Sequence, residues 1–311
     1  MIDIITRAGS LQKQYDHLEE GCWANLSDPT DEEIDLVSSF FQVEKEWIMA
    51  ALDEEESAHI ETEGNTLLVV VDIPLIQKDN ETSFTYMTIP LGIILCDHGI
   101  VTVCSREATV LEPFLSGHVR SFSTNKKSRF LLQILYRNAS KFLQYLKQID
   151  KASNMVENEL HKSMKNRELI QMMRLEKSLV YFSTSLKGNE IVLEKLVRSR
   201  AITRYEDDED LLEDVIIENK QAIEMCTIYR DILNGTMDAF ASIISNNLNI
   251  VMKWLAIVTI VLSVPQIVFS LFGINTPVPW QNQPIGFWIV VGIGALSTII
   301  SILYMWRKKM F

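Results

Sequence analysis

Seven residues at helical spacing form one face of an otherwise apolar run: Asn249, Met252, Ala256, Thr259, Ser263, Gln266 and Ser270. Five of them carry amide or hydroxyl groups, which suit hydrogen bonding rather than catalysis. Polar groups in hydrocarbon are costly unless they meet protein or water, so this polar stripe must face inward. One chain has no interior for the stripe, whereas several copies do. Packing between helices explains Ser and Thr equally well, but Gln266, beside the helix-perturbing Pro265, favours a water-filled pore.

Motifs for covalent catalysis or nucleotide hydrolysis are absent from the sequence. It contains no Gly-Lys-Ser/Thr phosphate loop, no His-Glu-x-x-His and no Cys-x-x-Cys. The five His residues are scattered, which is typical of structural or surface roles. The four cysteines lack metal-ligand spacing, and we expect buried thiols at Cys22, Cys96, Cys104 and Cys226. We therefore predict neither an enzyme nor an organic cofactor.

Charge is distributed very unevenly along the 311 residues. The chain has 41 Asp and Glu against 29 Lys and Arg, yet no charged residue occurs from Trp254 through Trp306. An acidic body without a basic stripe argues against nucleic acid as a partner, because phosphate binding needs clustered Lys and Arg. The sequence predicts an acidic soluble body joined to a neutral C-terminal part.

The uncharged part contains two runs long enough to cross a bilayer as helices, from about Met252 to Phe272 and from about Gly286 to Trp306. The stretch between them is rich in Gly, Asn and Pro, which forbids one continuous helix. A pair of buried core helices is the alternative, but the runs are too long and have no solvated face. We predict a multi-pass membrane protein with a helical hairpin in the lipid bilayer.

Lys and Arg residues near the spans predict the orientation of this hairpin. Lys253 lies at the N-terminal end of the first span and Arg307, Lys308 and Lys309 follow the second, while the loop between the spans has neither residue type. Since positive residues favour the cytoplasmic side, both termini should be cytoplasmic. Residues 1–10 lack the apolar core of a signal peptide. We expect the cell membrane (inner or plasma) as the location.

Residues 1–117 predict a small cytoplasmic α/β domain with one mixed sheet. Two helices are expected, one starting near the capping residues Asp28 and Thr30 and one over about Lys45–Glu56. Apolar or alternating runs predict strands at Ile2–Ile5, Cys22–Leu26, Thr66–Ile73, Phe84–Ile89, Ile93–Cys96 and Ile100–Cys104.

Residues 118–272 predict very long helices, because no proline occurs between Pro113 and Pro265. A cytoplasmic helical hairpin should occupy residues 118–205, with its turn at Lys187–Asn189. A stalk helix over residues 206–272 should then continue into the first span. Residues 273–285 would form the external loop, residues 286–306 would form the second span, and residues 307–311 would form a basic cytoplasmic tail. Within the second span, a patch of small residues around Gly292 and Gly294 indicates helix packing.

Several motifs in the C-terminal third resemble the CorA-type divalent-cation channels and transporters, including their ZntB-like branch. They are Tyr229-Arg230-Asp231-Ile232-Leu233, Met237-Asp238-Ala239-Phe240, Ser245-Asn246-Asn247, Val251-Met252-Lys253 and Phe272-Gly273-Ile274-Asn275. The last motif occupies the place of the family's Gly-Met-Asn signature. Trp23 to Pro29 matches the family more loosely.

The resemblance implies a funnel-shaped homopentamer whose first span lines the pore and whose second span surrounds it. Asn275 would form a ring of amide oxygens at the outer mouth, where it could select a hydrated divalent ion. Gly273 would end the helix with a positive φ angle. Asn249, Met252 and Leu255 match the cytoplasmic constriction, a candidate gate that closes by dewetting.

Divalent ions bound between cytoplasmic domains of neighbouring subunits hold the pore closed in this family. The resemblance implies Asp214 as a regulatory ligand, with Asp207, Asp208 and Asp210 nearby and Asp53 to Glu56 as donors from the adjoining domain. A solvated acidic helix start is the competing interpretation for each of these carboxylates.

Two departures from the family pattern leave the cargo open. Ile274 replaces the central Met of the signature, as in ZntB-like members associated with zinc, and residues 276–285 lack the acid common in magnesium-type members. We expect a pentameric channel for hydrated divalent cations, with Mg²⁺ as the favoured cargo and Zn²⁺, Co²⁺ or Ni²⁺ as other possible cargoes. The alternatives are a proton-coupled zinc transporter, which the absence of carboxylates in the stripe disfavours, and a non-conducting metal sensor or scaffold.

Overall fold

The computed structural model describes residues 1–8, 11–15, 17–80, 83–119, 122–163, 166–199, 206–274, 278–280 and 285–308. The chain divides into two compact units, Met1–Met237 and Asp238–Phe311. The first unit holds a sheet with helices on both faces, and the second holds the two apolar helices.

A seven-stranded mixed sheet forms the centre of the first unit, in agreement with the predicted α/β domain. Its spatial order is β2-β1-β3-β7-β6-β5-β4. The pair β3–β7 is parallel, and the other pairs are antiparallel. The strands are β1 (Ile2–Ala8), β2 (Leu11–Tyr15), β3 (Cys22–Ser27), β4 (His59–Glu63), β5 (Thr66–Asn80), β6 (Ser83–Cys96) and β7 (Gly99–Cys104).

Strand β6 is one element, so the prediction of two separate strands in this region was wrong. Pro90 lies within β6 and pairs with Asp72 of β5, while the pairing of β6 with β7 begins only at Leu91. A proline without an N–H is therefore tolerated, because it lies beyond the end of the β7 ladder. Strands β2 and β4, which are short and polar, were not predicted from the sequence.

Two short helices cover one face of the sheet. Helix α1 (Asp31–Phe41) begins with a complete capping box between Thr30 and Glu33, which confirms the predicted start. Helix α2 spans Lys45–Ala50, so its predicted extension to Glu56 was wrong. Apolar side chains of both helices, including Val37 and Ile48, are buried against the strands.

The other face carries α3 (Glu112–Leu115), α4 (Lys127–Ser163) and α5 (Asn166–Arg198). Four aromatic side chains meet in this core, Trp23 with Phe114, Phe122 and Phe130, at ring-centroid distances of 4.9–6.5 Å from Trp23. Edge-to-face contacts of this kind add to the free energy of area burial. The buried indole N–H of Trp23 donates to Thr102 Oγ1 at 2.9 Å.

Helix α5 continues through Lys187, Gly188 and Asn189, so the predicted turn at these residues was wrong. A Gly inside a helix costs only about 1 kcal/mol, and packing offsets this cost. Gly188 lies close to Ala58, where an added Cβ would be 3.3 Å from that side chain. Asn189 accepts from the Asp72 amide at 2.9 Å and donates to its carbonyl at 2.8 Å. The described part of α4 ends at Ser163, and α5 begins at Asn166.

A single helix, α6, spans Glu206–Phe272, in agreement with the predicted long helix. Helix α7 spans Gly286–Arg307. Both are long and apolar enough to cross a membrane by length and composition, and their most apolar stretches are only 6% and 11% buried. A core helix would be mostly buried, so the alternative of two core helices does not fit these two elements.

Candidate functional site

The predicted polar stripe lies along one face of α6 and is almost entirely uncovered by the chain itself. The exposed members are Asn249, Met252, Ala256, Thr259, Gln266 and Ser270, and Ser263 is half-buried. Leu255, predicted at the constriction, is also exposed. Successive positions three and four residues apart occupy one side of a helix. The side chains of this stripe are therefore available to water or to other copies of the chain.

Helix α7 packs against a different side of α6. Phe269, one residue before Ser270, contacts Gly294 so closely that an added Cβ there would lie 2.7 Å from the ring. Ile257 is buried and Val261, Val264 and Val268 are half-buried, so the covered side of α6 carries its own set of helically spaced residues, none of which belongs to the stripe. The expected packing role of small residues is confirmed at Gly294, whereas Gly292 has no neighbour within 4 Å of an added Cβ.

Near its C-terminal end, the stripe borders a shallow groove. Ser263, Gln266 and Ser270 line it together with Ile274 of the signature motif and with two residues that were not predicted, Ile267 and Leu271. Sequence spacing could have identified Ile267, because it lies four residues after Ser263. The groove thus combines amide and hydroxyl groups with apolar edges.

Hydroxyl groups of the stripe are partly satisfied within the helix. Thr259 Oγ1 donates to the Leu255 carbonyl at 2.8 Å. Such back-bonding makes a hydroxyl tolerable in an apolar run while leaving the oxygen able to accept a further hydrogen bond. Thr259 can therefore present an acceptor to a hydrated ion without a buried charge.

Helix α6 ends at the signature motif, but without the positive φ expected for Gly273. Gly273 lies outside the left-handed region, and its amide donates to the carbonyls of Phe269 at 3.0 Å and Ser270 at 3.2 Å. A bifurcated bond of this kind tightens the last turn and satisfies these carbonyls without a left-handed residue. Ile274 follows and is exposed. Asn275 lies outside the described residues.

The predicted regulatory carboxylates do not form a metal-binding cluster within the described residues of one chain. Asp53, Asp210 and Asp214 are exposed, and the side chain of Asp207 lies outside the described part. Asp208 is instead buried and pairs with Arg129 at 3.2 Å. Within the described residues of one chain, no group of three or more His, Cys, Asp or Glu side chains could hold a metal ion. These residues fit a metal only if a neighbouring subunit supplies further ligands.

The cysteines are buried thiols, as predicted. All four are free and buried. Burial is the main cause that raises the pKa of Cys104 and of Cys226 to about 11 each. Both thiols therefore stay protonated at neutral pH, which disfavours nucleophilic or metal-binding roles.

Comparison with known proteins identifies the family. A family model described as "CorA-like Mg2+ transporter protein" matches residues 19–309. The chain belongs to this CorA family. The match includes strands β3 to β7, α6 and α7, so the resemblance seen in the stalk and span motifs extends over nearly the whole chain.

CorA relatives agree with this assignment in sequence and in fold. The cobalt/magnesium transport protein CorA of Methanocaldococcus jannaschii is 26% identical over 297 residues, which covers 92% of this chain and 90% of the relative. The complete structure of that magnesium transporter matches with a TM-score of 0.86 at 24% identity, covering 99% and 98% of the two chains. The full-length CmaX protein matches with a TM-score of 0.73 at 15% identity, covering 100% and 98%.

Proposed function

We propose that this CorA protein moves hydrated divalent cations across a cell membrane, with Mg²⁺ as the favoured cargo and Co²⁺, Ni²⁺ or Zn²⁺ as further candidates. The observation that carries the proposal is the exposed, uncharged polar stripe on a helix that is long enough to span a bilayer. The relative from Methanocaldococcus jannaschii is a cobalt/magnesium transport protein, which supports the same class of cargo.

Five copies would bring their stripes together around a shared axis. A single α6 leaves Gln266 and Ser270 without protein cover, and polar groups at that depth require protein or water. A ring of helices supplies both, while α7 packs on another side of α6 and would face outward. The homopentamer explains why one chain has the lining of a pore but no pore.

Selection would rest on hydrogen bonds to the hydration shell of the ion. Mg²⁺ loses its water reluctantly, so a ring of amide oxygens from Asn275 can bind the hydrated ion without removing its waters. Amides and hydroxyls from Gln266, Ser263 and Thr259 would continue this contact along the pore. No ionised group is needed on the path, which lowers the barrier to release of the ion.

Control of the pore would occur at its cytoplasmic end. Met252 and Leu255 would form apolar rings that exclude water when narrow. Both side chains are more than half exposed on one chain and thus available to meet their copies. Cytoplasmic divalent ions bound between subunits, with Asp214, Asp210, Asp207 and Asp53 as candidate ligands, would hold the subunits in the closed arrangement.

Ion uptake into proteoliposomes tests this function. We expect saturable Mg²⁺ uptake down its gradient, competition by Co²⁺, Ni²⁺ or Zn²⁺, and no dependence on an imposed pH gradient. Zinc uptake that requires a pH gradient would instead identify a proton-coupled zinc transporter. Absence of uptake for every ion, with intact oligomers in the membrane, would identify a non-conducting sensor or scaffold and refute the proposal.

A further inference from the structure

A cavity of about 400 Å³ lies in the first unit, away from the polar stripe. It is bounded by the segment after β7, by one face of α4 and by Leu211 of α6. The lining residues share a mixture of polar, cationic and apolar groups: Thr109, Val110, Pro113, Val119, Gln133, Tyr136, Arg137, Ser140, Lys141, Gln144 and Leu211. Volumes of this size are typical of small-molecule sites.

Helix α4 presents its part of the lining as a continuous face. Gln133, Arg137 and Lys141 are spaced by four residues, and Ser140 and Gln144 continue the same face. Residues at this spacing are neighbours on a helix surface. Arg137 and Lys141 therefore place two positive charges one turn apart at one wall.

No carboxylate offsets these charges in the described lining, although acidic residues outnumber basic ones in the chain. Among ion pairs between described residues, none includes Arg137 or Lys141. Instead, the Arg137 guanidinium lies 5.7 Å from the centroid of Phe114 and the Lys141 ammonium 5.1 Å from that of Tyr145. Both contacts leave N–H donors available, because a ring face does not compete for in-plane hydrogen bonds.

Two buried polar atoms of the lining also lack a hydrogen-bond partner among the described residues. They are Thr109 Oγ1 and Gln133 Oε1. Unpaired buried polar atoms are rare in folded proteins and cost free energy. The Thr109 hydroxyl can donate to an acceptor oxygen of a ligand, whereas Gln133 Oε1 can accept from a ligand hydroxyl or amine. A small anion that also carries a hydroxyl or amino group would satisfy both atoms.

We propose that this cavity binds a small organic anion. Its phosphate or carboxylate group would pair with Arg137 and Lys141, since the guanidinium fork matches both groups. Thr109 would supply a further donor, Gln133 Oε1 would accept from a ligand hydroxyl or amine, and Val110, Pro113 and Val119 would contact the apolar part of the ligand. The inference does not depend on cation transport, because every residue that carries it belongs to the cytoplasmic unit.

Calorimetry on the full-length protein in detergent, without divalent cations, tests the site with adenosine monophosphate, inorganic phosphate and citrate. We expect saturable binding of at least one probe. A preference for the nucleotide assigns the site to phosphate esters, and a preference for citrate assigns it to carboxylates. Lys141→Gln should lower the affinity for the preferred probe by about tenfold or more, because a charge-assisted hydrogen bond is lost.

Lys177→Gln is the matched control. The Lys177 ammonium also lies over a tyrosine ring, 5.6 Å from the centroid of Tyr181, but it does not line the cavity. We expect its affinity for the probe to equal that of the wild type.

Thr109→Val provides a second variant that keeps both charges and the side-chain shape. Loss of the unpaired hydroxyl should raise the unfolding temperature of the free protein and lower its affinity for the probe. The proposal is wrong if no probe binds at millimolar concentration, or if Lys141→Gln and wild type bind equally. It is also wrong if the oligomer of Lys141→Gln dissociates and binds no probe. That result would place Lys141 in a contact between subunits.

Discussion

Replacing Gln266 with Leu separates a water-facing stripe from a lipid-facing one. Gln266 is exposed on α6 and lines the groove with Ser263 and Ser270. An unpaired amide in hydrocarbon costs about 4–8 kcal/mol on the cyclohexane scale. If Gln266 faced lipid, Gln266→Leu would therefore stabilise the protein by several kcal/mol. If Gln266 instead faces water in a shared pore, we expect Gln266→Leu to change the free energy of unfolding by less than about 1 kcal/mol.

The same substitution should reduce ion movement strongly. Five copies would each lose a hydrogen bond to the hydrated ion, and each bond contributes about 1 kcal/mol. A net loss of only about 1.4 kcal/mol at this position already lowers the rate tenfold. We therefore expect at least a tenfold decrease in Mg²⁺ uptake by proteoliposomes, with the unfolding temperature in detergent nearly unchanged.

Val258→Gln is the opposite substitution on another side of the same helix. Val258 is 46% exposed. Because it directly precedes Thr259 of the stripe, its side chain points about 100° away around the helix axis. An amide added there should lower the unfolding temperature and leave the uptake rate per folded oligomer unchanged. A higher unfolding temperature for Gln266→Leu together with wild-type uptake would refute the inward-facing stripe.

Three further substitutions test the remaining parts of the proposed pathway. Asn275→Ala should abolish the preference among divalent ions, because the ring of amide oxygens is lost, while native mass spectrometry still detects the pentamer; unchanged competition by Co²⁺ would exclude the ring. Met252→Gly should widen the inner constriction and raise leak of divalent ions at high cytoplasmic Mg²⁺, and an unaltered leak would place the gate elsewhere. Asp214→Asn should shift inhibition by cytoplasmic Mg²⁺ to higher concentration, whereas Glu213→Gln beside it should not. Identical inhibition curves for Asp214→Asn and wild type would remove Asp214 from the regulatory site.

Local sequence signals were sufficient where one segment decides its own structure. The capping residues Thr30 and Glu33 start α1 as predicted, because their hydrogen bonds lie within one turn. The long apolar runs define α7 and the end of α6, since length and composition alone make them able to span a bilayer. The spacing of the stripe also predicts which residues share a face.

Tertiary contacts overruled a local signal in α5. Gly188 and Asn189 look like a turn, yet α5 stays helical there and two hydrogen bonds join Asn189 to Asp72 of β5. Gly273 departs from its prediction for a local reason, because its amide reaches two carbonyls of the last turn of its own helix.

The cavity beside α4 was not recognised from the sequence, although Arg137 and Lys141 are one turn apart. Two cations at this spacing usually mark a solvated helix face. Only the packing of the segment after β7 against α4 encloses them together with Thr109 and Gln133.

The amino-acid sequence by itself determined the apolar spans, the long helix that leads into the first of them, and the periodicity of the polar stripe, because each depends on residues that are neighbours along one helix. The tertiary structure alone decided which side of α6 meets α7, where the helical hairpin turns, and which polar atoms are buried without a partner. Those outcomes depend on contacts between residues that are distant in the chain, and a pattern within one segment does not encode them.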